Sequence, residues 1–297
     1  MVLRVSAVAT LLLACGGVPG AATTDCASCH AEVAAGFASS RHASAGTGVV
    51  YRALLGTRPA SERPFCEGCH SRGGTGVTCA DCHAAVGNEV TANGLLRVGA
   101  PELVGTSRAV TAPHQTEVRP FLSSSELCGT CHEVHGPAFF VETPFTEWSA
   151  GARAKTCAQC HFEARTHSLS GVHDPVPAVL TDAVSVALVP DGSELVLRLT
   201  SNVSGHAFPS GSTFARRVEV LVGSTVVNLD DRPLQAGETR AWRVAASSCV
   251  RATVRFWRYR PELLSSLGVA LDNQPVTLTT ASLGCGEEIA ATAVAEP

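Results

Sequence analysis

The pentapeptide Cys-x-x-Cys-His occurs five times in this chain, at Cys26-Ala27-Ser28-Cys29-His30, Cys66-Glu67-Gly68-Cys69-His70, Cys79-Ala80-Asp81-Cys82-His83, Cys128-Gly129-Thr130-Cys131-His132 and Cys157-Ala158-Gln159-Cys160-His161. With 13 Cys and 11 His in 297 residues, chance placement yields about 0.02 copies, so the repetition is a chemical feature. Two thiols three positions apart can add across the two vinyl groups of one haem. The imidazole that follows then lies under the iron as its proximal ligand. The pattern predicts five covalently bound haem c groups, joined through these ten cysteines, with His30, His70, His83, His132 and His161 on the irons.

Other chemistries use a Cys-x-x-Cys pair. Zinc sites join two such pairs in one tetrahedral cluster, which would leave one of five unpaired and give no reason for the His after each second Cys. A dithiol redox centre needs one pair in a βαβ unit, whereas these five lie in a Gly- and Ala-rich segment.

Six histidines remain for the far sides of the irons: His42, His114, His206, His167, His173 and His135. The single Met is Met1, within the expected leader, so His/Met ligation is not expected and bis-His haems of low potential are. Six candidates serve at most five irons, so at least one is a bystander. His135 ranks last because it lies three residues from His132. His206 stands apart from the others, in the constrained loop Gly205-His206-Ala207-Phe208-Pro209-Ser210-Gly211.

The elements that must position these groups give an α+β fold of two domains. Residues 23–177 read as a multihaem domain of short helices and loops with little regular structure. Helices are expected after the first motif, to Ser39, and as one turn over Val50 to Leu55, and a hairpin is expected around Asn93-Gly94. The linker from His70 to His83 is short enough to hold two porphyrins side by side. Aromatics supply only 5% of the chain, thin for a protein-only core, so porphyrins are expected to provide flat apolar bulk. Pro175 and Pro177 mark a boundary. Beyond it, runs at Val184 to Val189, Leu195 to Leu199, Val218 to Val222, Thr225 to Leu229, Thr239 to Val244, Thr253 to Tyr259 and Val276 to Thr280 predict an antiparallel β-sandwich over 178–288. Residues 289–297 read as a disordered tail. Of the cysteines outside the motifs, Cys249 and Cys285 are candidates for a disulfide, the alternative being two buried thiols.

Residues 1–22 read as a targeting segment: Arg4, then an apolar run from Val5 to Ala14 too short to span a bilayer. Leu12-Leu13-Ala14-Cys15 resembles a bacterial lipobox, making Cys15 a lipidation candidate, and ordinary cleavage after Ala22 is the alternative. Either implies export, to the periplasm or an outer-membrane-associated lipoprotein. The net charge of −4, made more negative by haem propionates, gives no case for nucleic acid.

Ser40-Arg41-His42-Ala43, Ser124-Ser125-Glu126-Leu127 before the fourth motif, and Phe145-Thr146-Glu147-Trp148 before the fifth make the chain resemble multihaem cytochromes of the cytochrome c554 and hydroxylamine oxidoreductase-related group. The Gly205 to Gly211 stretch is similar to a segment of the C-terminal β domains of some of these exported cytochromes. The resemblance implies bis-His haems in close pairs, with His42 given by one haem segment to another. It also implies electron transfer, in some members alongside reductase activity on small nitrogen or sulfur compounds. Enzymes of the group carry more haems, a Cys-x-x-Cys-Lys site, or a Tyr crosslinked to a catalytic haem. This chain has no such Lys site, and its tyrosines are Tyr51 and Tyr259.

Three functions follow as expectations, with no catalytic residue assigned in the first. One is an electron carrier between redox partner proteins, other cytochromes or a membrane oxidoreductase. Another is a small-molecule reductase with one five-coordinate haem, with His135 or His173 as acid. The last is a sensor or partner-binding subunit. Arg255 to Arg260 reads as a solvated strand or, alternatively, a docking face for an acidic partner.

Overall fold

The computed structural model describes residues 26–285 apart from 73, 100–102, 106–113, 115, 137–140, 175–177, 230–231 and 246. The expectations for Cys15, residues 1–22 and residues 289–297 lie outside the described residues. None of the described helices is long and apolar enough to cross a membrane.

Seven short helices occupy the first half: α1 (Ala31–Ala38), α2 (Val49–Gly56), α3 (Arg63–His70), α4 (Cys79–His83), α5 (Ser125–His132), α6 (Pro144–Ala150) and α7 (Cys157–His161). Four of them end on the His of a Cys-x-x-Cys-His motif. The reason is local. One helical turn puts residues i and i+3 on the same face, so the two thiols align and the turn can stop at the next residue. Two motifs contain their own start signal. Thr78 and Asp81 form a capping box at α4, with the Thr78 N–H donating to Asp81 Oδ2 at 2.7 Å. Thr156 and Gln159 do the same at α7. The expected hairpin is present as Ala85–Asn88 paired with Leu96–Val98, with Asn93 and Gly94 both at positive φ in its turn.

The first half has little apolar interior. Among its described residues, only Val50, Leu55, Ala85 and Ala92 are buried hydrophobics. The core cluster lies elsewhere, from Leu180 to Phe256.

That cluster belongs to seven strands: β1 (Val184–Asp191), β2 (Glu194–Ser201), β3 (Arg217–Val222), β4 (Thr225–Asn228), β5 (Thr239–Ala245), β6 (Val250–Trp257) and β7 (Val276–Leu283). They form two antiparallel sheets, ordered β5-β2-β1 and β4-β3-β6-β7. Alternation sets the inward faces: Leu195, Leu197 and Leu199 from β2 meet Val250, Ala252, Val254 and Phe256 from β6, within one core. Cys249 and Cys285 are disulfide-bonded, with Cα atoms 4.5 Å apart. One further helix, α8 (Pro261–Leu267), follows β6 and ends at Gly268 in the left-handed conformation.

Arg255 to Arg260 is not a solvated strand. Phe256 is buried in the core. Arg255 pairs with Glu219 at 3.1 Å. Arg258 donates to the carbonyls of Val172 and Asp174, and Arg260 to those of Arg216 and Thr213. Loop carbonyls with acceptor capacity to spare draw these guanidinium groups inward.

Candidate functional site

Two of the motif histidines, His70 and His161, are held by their Nδ1 atoms. His70 Nδ1 lies 3.3 Å from the Ala45 carbonyl, and His161 Nδ1 lies 3.2 Å from that of Ser170. A carbonyl only accepts, so Nδ1 carries the hydrogen and Nε2 keeps a free lone pair, the tautomer suited to a metal. His206 is set in the same way, Nδ1 being 2.8 Å from the Ala207 carbonyl.

Four of the five motif histidines face a second imidazole. Ring centroids are 6.4 Å apart for His30 and His114, 5.8 Å for His42 and His132, 6.1 Å for His83 and His167, and 6.2 Å for His161 and His206. An imidazole nitrogen sits about 2 Å from a bound metal, so two rings on opposite sides of one iron have centroids about 6 Å apart. The pairs therefore fit a haem iron between them. Unpaired imidazoles buried in contact would stack closer or hydrogen-bond directly. No group of three or more His, Cys, Asp or Glu able to hold a metal occurs among the described residues.

Each facing ring comes from a different segment from its motif. His42 follows α1, beside the first motif, and meets the fourth. His167, at φ 54, follows the fifth motif and meets the third. His206 belongs to the loop between β2 and β3 and meets the fifth. His132 is so deeply surrounded that burial, with His70 and Arg216 nearby, lowers its pKa to about 4. Burial first, then His132 and His70, lowers His42 to about 4 as well.

The thiols converge across motifs. Cys69 lies within hydrogen-bond reach of Cys131, Cys128 of Cys157, and Cys26 of Cys79. Cys82 lies near both Cys128 and Cys131. Groups attached there would be in close contact.

His70 differs. Its ring contact is Tyr51, stacked at 4.3 Å, and no imidazole pairs with it among the described residues. The two remaining histidines are engaged elsewhere. His135 is exposed, with Nε2 3.1 Å from the buried Glu133, and does not face a motif His. His173 packs on Tyr259 at 5.0 Å, and its backbone carbonyl accepts from Arg41 at 3.0 Å. Burial, followed by Arg216, Arg41 and Arg258, lowers the His173 pKa to about 4, against a weaker opposite pull from Asp174. Arg216 donates from Nη1 to the Ser210 carbonyl at 2.5 Å and lies near Glu142, Tyr259 and His173. Glu142 is also within electrostatic reach of His70. A half-buried cluster of Arg216, His173, Tyr259 and Glu142 thus lies near both His70, through Glu142, and His132, through Arg216.

Residue spacing gave no sign of three glutamates that organise the site. Glu133 accepts from the Thr146 N–H at 3.0 Å and its hydroxyl at 2.6 Å. Glu142 accepts from the Ser212 hydroxyl, and Glu147 from the Ala207 N–H and the Ser210 hydroxyl. The last two tie the loop bearing His206 to the first half.

Neither a protein-family model nor a curated protein matches this sequence. In structure, the chain is similar to a penta-heme cytochrome c552 from Thermochromatium tepidum, with a TM-score of 0.69 over 87% of this chain and 97% of that one. At 16% identity the likeness establishes a shared fold.

Proposed function

We propose that this chain is an exported c-type cytochrome with five covalently attached haems that transfers electrons between redox partner proteins. Residues 23–177 form its haem domain and 178–288 a β-sandwich, with a lipid on Cys15 anchoring it to a membrane. The four imidazole pairs carry this reading. His114, His42, His167 and His206 serve as far-side ligands to the haems of His30, His132, His83 and His161. The likeness in fold to a penta-heme cytochrome supports the count of five. Haem iron held by two imidazoles exchanges single electrons with its neighbours, and full coordination keeps other molecules off the metal.

The His70 side favours a second reading, in which the haem there is five-coordinate and reduces a small nitrogen or sulfur compound. The other haems would deliver electrons from a donor protein. Arg216 would offer its guanidinium to an anionic substrate, and His173 or Tyr259 would supply a proton by hydrogen bonding.

The mass of the mature protein tests the first reading: five haem adducts are expected, and a bare polypeptide from a host able to attach haem c would overturn it. Electron paramagnetic resonance of the oxidised protein separates the two. Four low-spin haems and one high-spin haem that binds added azide support the second, whereas five low-spin haems leave the carrier alone.

A further inference from the structure

His206 is the one facing imidazole that the β half supplies, so a ring anchored in one half must be aimed at His161 in the other. The loop carrying it is clamped on both sides. Toward the β half, Phe208 exchanges backbone hydrogen bonds with Leu234 at 2.7 and 2.8 Å. Toward the first half, one carboxylate oxygen of Glu147 on α6 accepts the Ala207 N–H at 2.9 Å and the Ser210 hydroxyl at 2.7 Å. The other oxygen accepts the Thr143 hydroxyl at 3.0 Å, which fixes the carboxylate on its own helix. Ala207 is 2% exposed, and its carbonyl is the acceptor for His206 Nδ1. Glu147 therefore holds the residue that in turn holds the imidazole.

We infer that Glu147 is the positioning residue for His206, and that its hydrogen bonds to the loop decide whether the haem on His161 is six-coordinate. The inference rests on the proposed reading of His206 as an iron ligand. Gln at position 147 preserves it, since the amide oxygen accepts both loop bonds and the amide nitrogen donates to the Thr143 oxygen. Ala removes both bonds and leaves a buried N–H without a partner.

The test uses the full haem-loaded protein, with low-spin signals counted by electron paramagnetic resonance. His206→Ala is expected to lose one low-spin haem. Glu147→Ala should convert the same signal, wholly or in part, to high spin, and added imidazole should restore it. Glu147→Gln should keep it. If His206→Ala loses a signal while Glu147→Ala keeps all of them, the positioning role is overturned and the ligand reading stands. If His206→Ala keeps every signal, the ligand reading itself fails. If Glu147→Ala does not incorporate five haems, Ser210→Ala, which removes one of the two loop bonds, takes its place: a high-spin fraction at that haem supports the inference, and none overturns it.

Discussion

Preparing the chain without haem, either in a host lacking the attachment machinery or with the ten motif cysteines replaced by Ser, should unfold one half and spare the other. Sixteen buried residues between Leu180 and Phe256 make one core, contributed by both sheets. The first half buries two sizeable apolar side chains, Val50 and Leu55, among its described residues. Burying each contributes at most about 3 kcal/mol. Fixing the backbone of about five residues offsets that gain, at about 1–2 kcal/mol per residue. Limited proteolysis with mass mapping is the assay. Rapid cuts are expected within residues 26–177, while the fragment spanning β1 to β7 persists, and hydrogen exchange should find slow amides in β2 and β6. A haem-free first half that resists protease as well as the strands do would refute the argument that it has no adequate interior of its own.

Other perturbations probe separate parts of the structure. Replacing Cys249 and Cys285 by Ser opens a loop closed across a sequence separation of 36 and should cost about 4 kcal/mol of stability, read as a lower denaturant midpoint for the β half. Glu133→Ala strands the N–H and hydroxyl of Thr146, at about 1–3 kcal/mol each, and should lower the midpoint of the haem half, with Glu133→Gln losing less. His173 has a folded pKa of about 4 against 6.5 when free, so the folded state favours its neutral form. That contribution is complete above pH 6.5 and lost as pH falls toward 4, because the unfolded chain then binds the extra proton. It amounts to about 3 kcal/mol at most. His173→Gln should remove this part of the acid destabilisation, and denaturant titrations of both proteins at pH 7 and pH 4.5 would show no difference in slope if the burial argument is wrong.

Patterns with a short period were readable in the sequence. The five motifs, the seven strands and the Asn93-Gly94 turn each depend on residues within about ten positions of one another, where spacing maps directly onto geometry. Four of the six spare histidines proved to face motif histidines, but which meets which was not readable. The partners are supplied across the chain, His42 to His132 and His206 to His161, and no spacing rule links such positions. The same limit hid Glu133, Glu142 and Glu147, which look like surface acids until Thr146, Ser212 and Ala207 are brought to them. It also made Arg258 and Arg260 look solvated, since the carbonyls they hold belong to residues 172, 174, 213 and 216. Helix α8 had a local signal, Pro261 and Glu262 at its start and Gly268 past its end, but it was submerged in a run of strands.

Order along the chain is also not order in space, and this bears on how the protein would move electrons. Cys26 meets Cys79, Cys82 lies near Cys128 and Cys131, Cys131 meets Cys69, and Cys128 meets Cys157. The fourth motif therefore borders the second, third and fifth, whereas these contacts join the first to the third alone. On the proposed reading, a path entering at the first haem runs through the third to the fourth and divides there. One branch reaches the haem pair of His161 and His206, closed at both faces. The other reaches His70, which lies within electrostatic reach of Glu142. A simple relay needs two ends, and this path has a third, at a motif His with no imidazole pair among the described residues. The fork thus ties the second function to the first: the four paired haems would serve as wiring whether or not the His70 haem reacts, and the ligation of that one iron separates a carrier from a reductase.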